Sequence, residues 1–177
     1  MIDIKIFNGF ILIQKIKEHY DFKEKLLSLI DKMPEHSFEN KSDKIFKTDY
    51  YDNSANKIYK ETFLKLIEPY NNNLKLFLKC KNFNIKEIWY QQYKTSDVHN
   101  WHIHFGCLLT NVYFLDLKNK NSTLFYDYLS NKKIKYDLQE GDLITFPSYI
   151  PHKSEENLEY NKTIISYNAD FDIINIV

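Results

Sequence analysis

The chain reads as α+β and mainly β: a sandwich or barrel of short strands with N-terminal helices packed outside it. Three observations lead there. From residue 83 onward, seven short strand-like runs follow one another between polar turns, the texture of a sandwich or barrel. Before them, apolar residues recur at helical spacing in blocks that stop at prolines or polar breaks. The 177 residues, 44% hydrophobic and 16% aromatic, suffice for one domain with a sizeable core. Residues 1–82 then form a helical and hairpin support region, and residues 83–177 the strand-rich core.

Taken in order, Ile2 to Ile16 read as two short strands around Asn8-Gly9, a dipeptide that accepts the positive φ of a tight hairpin turn. Asp21 to Glu24 has the form of a capping box, and Leu26, Leu27, Ile30 and Met33 follow at helical spacing up to Pro34. Glu35 to Asn53 is polar with scattered aromatics, a long loop suited to lie over a pocket, with at most one short strand. Ser54 can cap a second helix ending at Pro69, and a third runs from about Tyr70 to Cys80. Their apolar stripes are core packing. The strands expected after them are Ile85 to Lys94, His102 to Leu108, Asn111 to Leu117, Ser122 to Tyr128, Lys133 to Leu138, Asp142 to Phe146 and Thr163 to Asp170.

Charge narrows the function classes. Twenty-four basic and twenty-four acidic residues cancel, so the strong positive field of a general nucleic-acid binder is not expected. Every basic residue is lysine, and without a guanidinium fork anions must be held by Lys, Ser, Thr, Tyr and backbone donors. Cys80 and Cys107 form neither a disulfide framework nor a thiolate cluster. No run is long enough to span a bilayer, and the N-terminal residues lack a cleavage pattern. A cytoplasmic protein without membrane partners is expected, and the sequence leaves oligomeric state open.

The stretch from Trp89 to Phe114 places His99, His102 and His104 within six residues beside strand-like sequence. Residues two apart on a strand share a face, so His102 and His104 can reach one ion. A third ligand must come from elsewhere, and His152 in EGDLITFPSYIPHKS is the remaining histidine in a strand-like setting. A lone histidine is usually structural, and His19 and His36 have no motif around them; the cluster with Pro151-His152 is what points to a metal.

These pieces, in this order, resemble the Fe(II)/2-oxoglutarate dioxygenases built on a double-stranded β-helix, a jelly-roll or cupin-like barrel. The likeness runs through the aromatic strand Trp89 to Tyr93, His102-Ile103-His104, Val112 to Leu115, Gly141 to His152 and Lys162 ten residues later, about the last half of the chain. It implies Fe(II) held by His102, His104 and His152, with His104 standing where most members carry a carboxylate. Asp97, Asp116 and Asp127 are near enough in sequence to replace or support it, Asp97 more as a loop residue and Asp127 as outer support. It further implies that Lys162 pairs with the far carboxylate of 2-oxoglutarate, that Ser166 adds a hydroxyl beside it, and that Tyr93 and Tyr113 contact the cosubstrate, unless both are core aromatics. The implied activity is oxidation by O2 of an unidentified small-molecule or peptidyl substrate, as in hydroxylation, with release of succinate and CO2. Loops at the mouth, with Trp101 as a stacking surface, would select it, while His99 is open between a substrate contact, an outer hydrogen bond and no role. Two alternatives stay open: a cupin-like three-histidine dioxygenase that does not use 2-oxoglutarate, and a non-catalytic binding module on the same barrel.

Overall fold

In the computed structural model, residues 9–52, 56–118, 123–158 and 161–173 are described. The elements run β1 (Leu12–Lys15), α1 (His19–Asp31), β2 (Phe38–Glu39), β3 (Lys44–Ile45), β4 (Lys47–Thr48), α2 (Lys60–Leu78), β5 (Cys80–Tyr93), β6 (His99–His102), β7 (Leu109–Leu117), β8 (Thr123–Asp127), β9 (Lys132–Lys135), β10 (Asp142–Pro147), β11 (His152–Ser154) and β12 (Lys162–Ile173). Two sheets hold most of the strands, a larger one in the order β1-β10-β7-β12-β5-β4 and a smaller one in the order β6-β11-β8-β9. All the pairings within them are antiparallel. From β5 to β12 the chain passes back and forth between the sheets, the winding of a jelly roll.

Alternation along the central strands builds two cores. Val112 and Phe114 of β7, Ile144 and Phe146 of β10 and Ile164 of β12 pack inward with Phe125 of β8. The intervening Tyr113, Leu115, Leu143, Ile165 and Tyr167 turn outward beneath α1 and α2, against Leu26, Ile30, Phe63 and Ile67. A sheet covered on both faces needs apolar side chains at consecutive positions, which is why β7 reads as an almost unbroken apolar run.

Several boundaries differ from the sequence reading. The second and third helices are one, α2, with Pro69 inside it. Pro69 leaves the Lys65 carbonyl without its helical donor, but both residues are exposed, so water can satisfy it, and the stripe Phe63, Leu66, Ile67, Tyr70 and Leu74 stays buried on one side. Replacing Pro69 by alanine is expected to stabilise the chain by about 1–2 kcal/mol, the interior-helix cost of proline less its restraint on the unfolded chain, as read by urea unfolding. Helix α1 starts at His19, with Glu18 as a cap whose side chain accepts from the Tyr70 hydroxyl and makes no capping bond, so the box expected at Asp21 is not used. The strand expected from His102 instead ends there, as the chain heads for Gly106 at φ 74°, a conformation that suits glycine. Residues 35–53 hold three two-residue strands instead of at most one. The first arm of the Asn8-Gly9 hairpin, Ser54 and the 119–121 turn lie outside the described residues, and β1 pairs with β10. Among the described residues no helix is long and apolar enough to cross a membrane.

Candidate metal centre

Two neighbouring strands of the smaller sheet bring the first histidines together. His102, the last residue of β6, stands directly opposite His152, the first of β11, and cross-strand partners share a face; their ring centroids are 4.2 Å apart. His104 lies beyond the end of β6, where its backbone N–H donates to the Ser148 carbonyl at 3.0 Å. Its ring is 5.1 Å from that of His152 and leans on Trp89 at 5.5 Å. One ligand nitrogen from each of His102, His104 and His152 lies within 4.8 Å of the others.

The hydrogen bonds decide which nitrogen each ring offers. His102 donates Nδ1–H to the Asn100 carbonyl at 2.7 Å, and His152 does the same to the Ile150 carbonyl at 3.0 Å. A carbonyl can only accept, so these protons sit on Nδ1 and leave Nε2 with a bare lone pair. His104 Nδ1 is 2.8 Å from Asn168 Oδ1, which assigns the same tautomer. Burial lowers the pKa of all three rings, His104 to about 4 and His152 well below its ordinary value. Neutral imidazoles with converging lone pairs are the donor set a divalent metal takes.

His99 is the fourth ring. It stacks on His102 with centroids 3.8 Å apart, and burial, with His102 beside it, lowers its pKa to about 3. Tyr93 donates its hydroxyl proton to Gln91 Oε1 at 3.0 Å, so Gln91 turns its amide N–H toward His99 Nδ1, 3.4 Å away. The lone pair of His99 is thereby occupied. It packs against His102 without being one of the gathered three.

The rings open into a cavity of about 330 Å³, lined among others by Trp89, Gln91, Tyr93, Val112, Ser154 and Ser166. Ile45, Thr48, Tyr50 and Tyr51 of the 35–53 loop also line it, as expected of that loop. Lys162, only 2% exposed, lies opposite Tyr93 across the β12–β5 pair. Its ammonium sits 4.2 Å above the Tyr93 ring and donates to the Ser154 hydroxyl. Burial lowers the Lys162 pKa to about 7. Ser154 follows His152 by two residues on β11, so their Cα atoms lie one pleat repeat apart, roughly 7 Å, and the ammonium bonds to the Ser154 hydroxyl that lines the cavity.

Three expectations are corrected. Tyr113 points away from the cavity into the helix-side core, with its hydroxyl 2.6 Å from His19 Nδ1, because only alternate residues of β7 face inward. Ser166 lines the cavity but is four residues along β12 from Lys162, about 13 Å, so the hydroxyl beside the ammonium is that of Ser154. Trp101 lies on the outer face of β6 with Tyr126 and Lys153; the aromatics at the cavity are Tyr50, Tyr51, Trp89, Tyr93 and Phe105. None of the three aspartates stands in for His104: Asp97, in the loop as expected, accepts from the Phe46 and Lys94 N–H groups, Asp116 pairs with Lys23, and Asp127, instead of giving outer support, ties the β8–β9 turn. His19 and His36 are structural as expected, His19 bonded to Tyr113 and Glu140 and His36 at 3.6 Å from Asp52.

Tyr113→Phe should therefore destabilise the fold by about 1–3 kcal/mol by stranding His19, with no change in ligand affinity at the cavity, as checked by denaturant unfolding beside calorimetric titration. The sequence reading missed Ser154 and Gln91. Ser154 was within reach of it through the two-residue period from His152, whereas Gln91 carries no mark in an isolated strand.

No family model and no curated protein matches the sequence. Solved structures do match the fold. A protein of the 2OG-Fe(II) oxygenase family from Burkholderia pseudomallei superposes with a TM-score of 0.75 at 11% identity, over 90% of this chain and 85% of that one. A Pseudomonas putida prolyl-4-hydroxylase gives 0.64 at 12% identity, over 89% and 91%. The non-heme alpha ketoglutarate dependent epimerase SnoN from nogalamycin biosynthesis gives 0.67 at 10% identity, over 90% and 76%. The chain thus has the antiparallel, two-sheet fold of the 2OG-Fe(II) oxygenases, with a histidine triad gathered on the smaller sheet.

Proposed function

We propose that this protein is an Fe(II)- and 2-oxoglutarate-dependent oxygenase whose two sheets form a double-stranded β-helix. One observation carries the reading: three neutral imidazoles bring one ligand nitrogen each within 4.8 Å of the others, while a buried ammonium bonds to Ser154 on the strand that carries His152. That arrangement suits a short dicarboxylate with its keto-acid end at the metal and its far end at Lys162. His102, His104 and His152 would hold the metal and leave its other positions open. Fe(II) bound there would supply, with 2-oxoglutarate and O2, the oxidation of a C–H bond with release of succinate and CO2.

The remaining parts are the chain's own. Lys162 holds the cosubstrate carboxylate and Tyr93 places its ring under that ammonium. Trp89 and His99 wall the metal ligands against water, which strengthens every polar contact inside. Tyr50, Tyr51 and Phe105 shape the entrance for a small-molecule or peptidyl substrate. Cys80 and Cys107 are both free thiols, in keeping with work in the reducing cytoplasm. The three-histidine donor set by itself also suits a cupin-like dioxygenase whose substrate binds the metal directly, and Lys162 separates the two: such an enzyme has no use for a buried ammonium beside the site.

The test is an anaerobic titration with Fe(II) and then 2-oxoglutarate, followed on admission of O2 by succinate measurement. The expected result is a metal-dependent absorption change on adding the keto acid, and succinate formation that His102→Ala abolishes. A metal-loaded protein that does not bind 2-oxoglutarate would overturn the reading in favour of the direct-binding alternative, and one that takes up no divalent metal would leave the non-catalytic module.

A further inference from the structure

The three ligand histidines are not held alike. His102 and His152 donate Nδ1–H to backbone carbonyls of Asn100 and Ile150, which have no second state to offer. His104 donates to a side-chain amide, Asn168, and an amide can rotate by half a turn and present N–H₂ instead of oxygen. In that flipped state Asn168 would demand a bare Nδ1 on His104 and drive its proton to Nε2, where a metal must bind. Something has to forbid the flip. Glu87 does so: Asn168 Nδ2 donates to Glu87 Oε2 at 3.4 Å, and a carboxylate can only accept. The Thr110 hydroxyl, 3.4 Å from Asn168 Oδ1, adds a donor on the other side.

Glu87 is also the one carboxylate that lines the cavity among the described residues. A metal held by three neutral imidazoles keeps its full double charge, so a carboxylate two hydrogen bonds away supplies both the tautomer and a compensating negative field. Metal-bound histidines generally owe their orientation and basicity to such an outer partner. Here the carboxylate stands one link further out, with an amide between.

We infer that Glu87 and Asn168 are positioning residues for the metal, Glu87 acting through Asn168 to hold His104 in the Nε2-ligating tautomer. This rests on the reading of the triad as a metal site. Co(II), redox-stable and visibly coloured in such sites, serves as the probe, with calorimetric affinity and the visible spectrum as readouts and the melting temperature as the control for folding.

Glu87→Gln, at an exposed position, should weaken Co(II) about threefold to tenfold, because glutamine can donate as well as accept and so permits the flip. Asn168→Leu should weaken it about 10- to 100-fold, the usual range for losing an outer partner of a metal ligand. The double variant Glu87→Gln/Asn168→Asp moves the carboxylate one link inward and should restore at least wild-type affinity and the wild-type spectrum. A purely structural role for Glu87 predicts no such rescue. The inference is overturned if Glu87→Gln binds Co(II) within twofold of wild type, or if the double variant binds no better than Glu87→Gln alone. A wild-type chain that binds no Co(II) sinks the metal site itself, whereas wild-type binding with an indifferent Glu87→Gln sinks only the relay.

Discussion

A chain carrying Lys162→Met is expected to bind 2-oxoglutarate about 100-fold more weakly than wild type and yet to unfold at a higher temperature. The loss follows from removing the charged partner of a carboxylate held inside the cavity, where such pairs are worth several kcal/mol. The gain follows from the same burial. Lys162 is 2% exposed, and a methionine of similar shape needs no solvation, so a stabilisation of about 1–4 kcal/mol is expected, as when buried ionic groups give way to apolar ones. Calorimetric titration of the metal-loaded protein without O2 reads the first effect and thermal unfolding the second. A variant that retains wild-type 2-oxoglutarate affinity would remove Lys162 from the site.

The pH dependence has a definite sign. Burial lowers the Lys162 pKa from 10.5 to about 7. Between those values the unfolded chain carries a proton the folded one lacks, so wild-type stability rises with pH across that window. Below pH 7 both states are protonated and the full penalty of the buried ammonium is present. The methionine variant should lack this slope. Binding runs the other way: a carboxylate stabilises the protonated amine, so 2-oxoglutarate affinity should be greatest below pH 7. It should fall by about tenfold per unit above pH 7 until the raised pKa of the complex is reached. One proton is then taken up on binding, visible as a buffer-dependent heat.

His152→Ala is expected to abolish metal binding and with it the stabilisation metal confers. For the wild type, metal at about a thousandfold above Kd should add about 4 kcal/mol to unfolding; in the variant, melting should be indifferent to metal. His99→Ala is the informative contrast. Its ring touches His102 at 3.8 Å, but Gln91 occupies its lone pair, so metal affinity should change little. If His99→Ala lost metal as completely as His152→Ala, the assignment of ligands by tautomer would be wrong.

Strand periodicity assigns faces within a strand but does not say which face meets the cavity, so Tyr113 and Trp101, both one residue out of phase with the inward set, were placed wrongly. Distance along a strand also separates residues that share a face, which is why Ser166 does not stand beside Lys162. Pro69 misled for a different reason: a helix tolerates proline where the freed carbonyl meets water, and solvent exposure is a property of the packed state.

The run of short strand-like segments already determined the mainly β class, because period-2 alternation acts locally, and the order of the aromatic strand, the HxH pair, the PH segment and Lys162 named the three histidines through the resemblance they carry. Which hydroxyl meets the ammonium, why His99 stands apart from the triad, and how Glu87 reaches His104 through Asn168 were decided by tertiary structure alone. These are contacts between strands whose register is set by packing, and a hydrogen bond across 81 residues of chain has no signature in either of its ends.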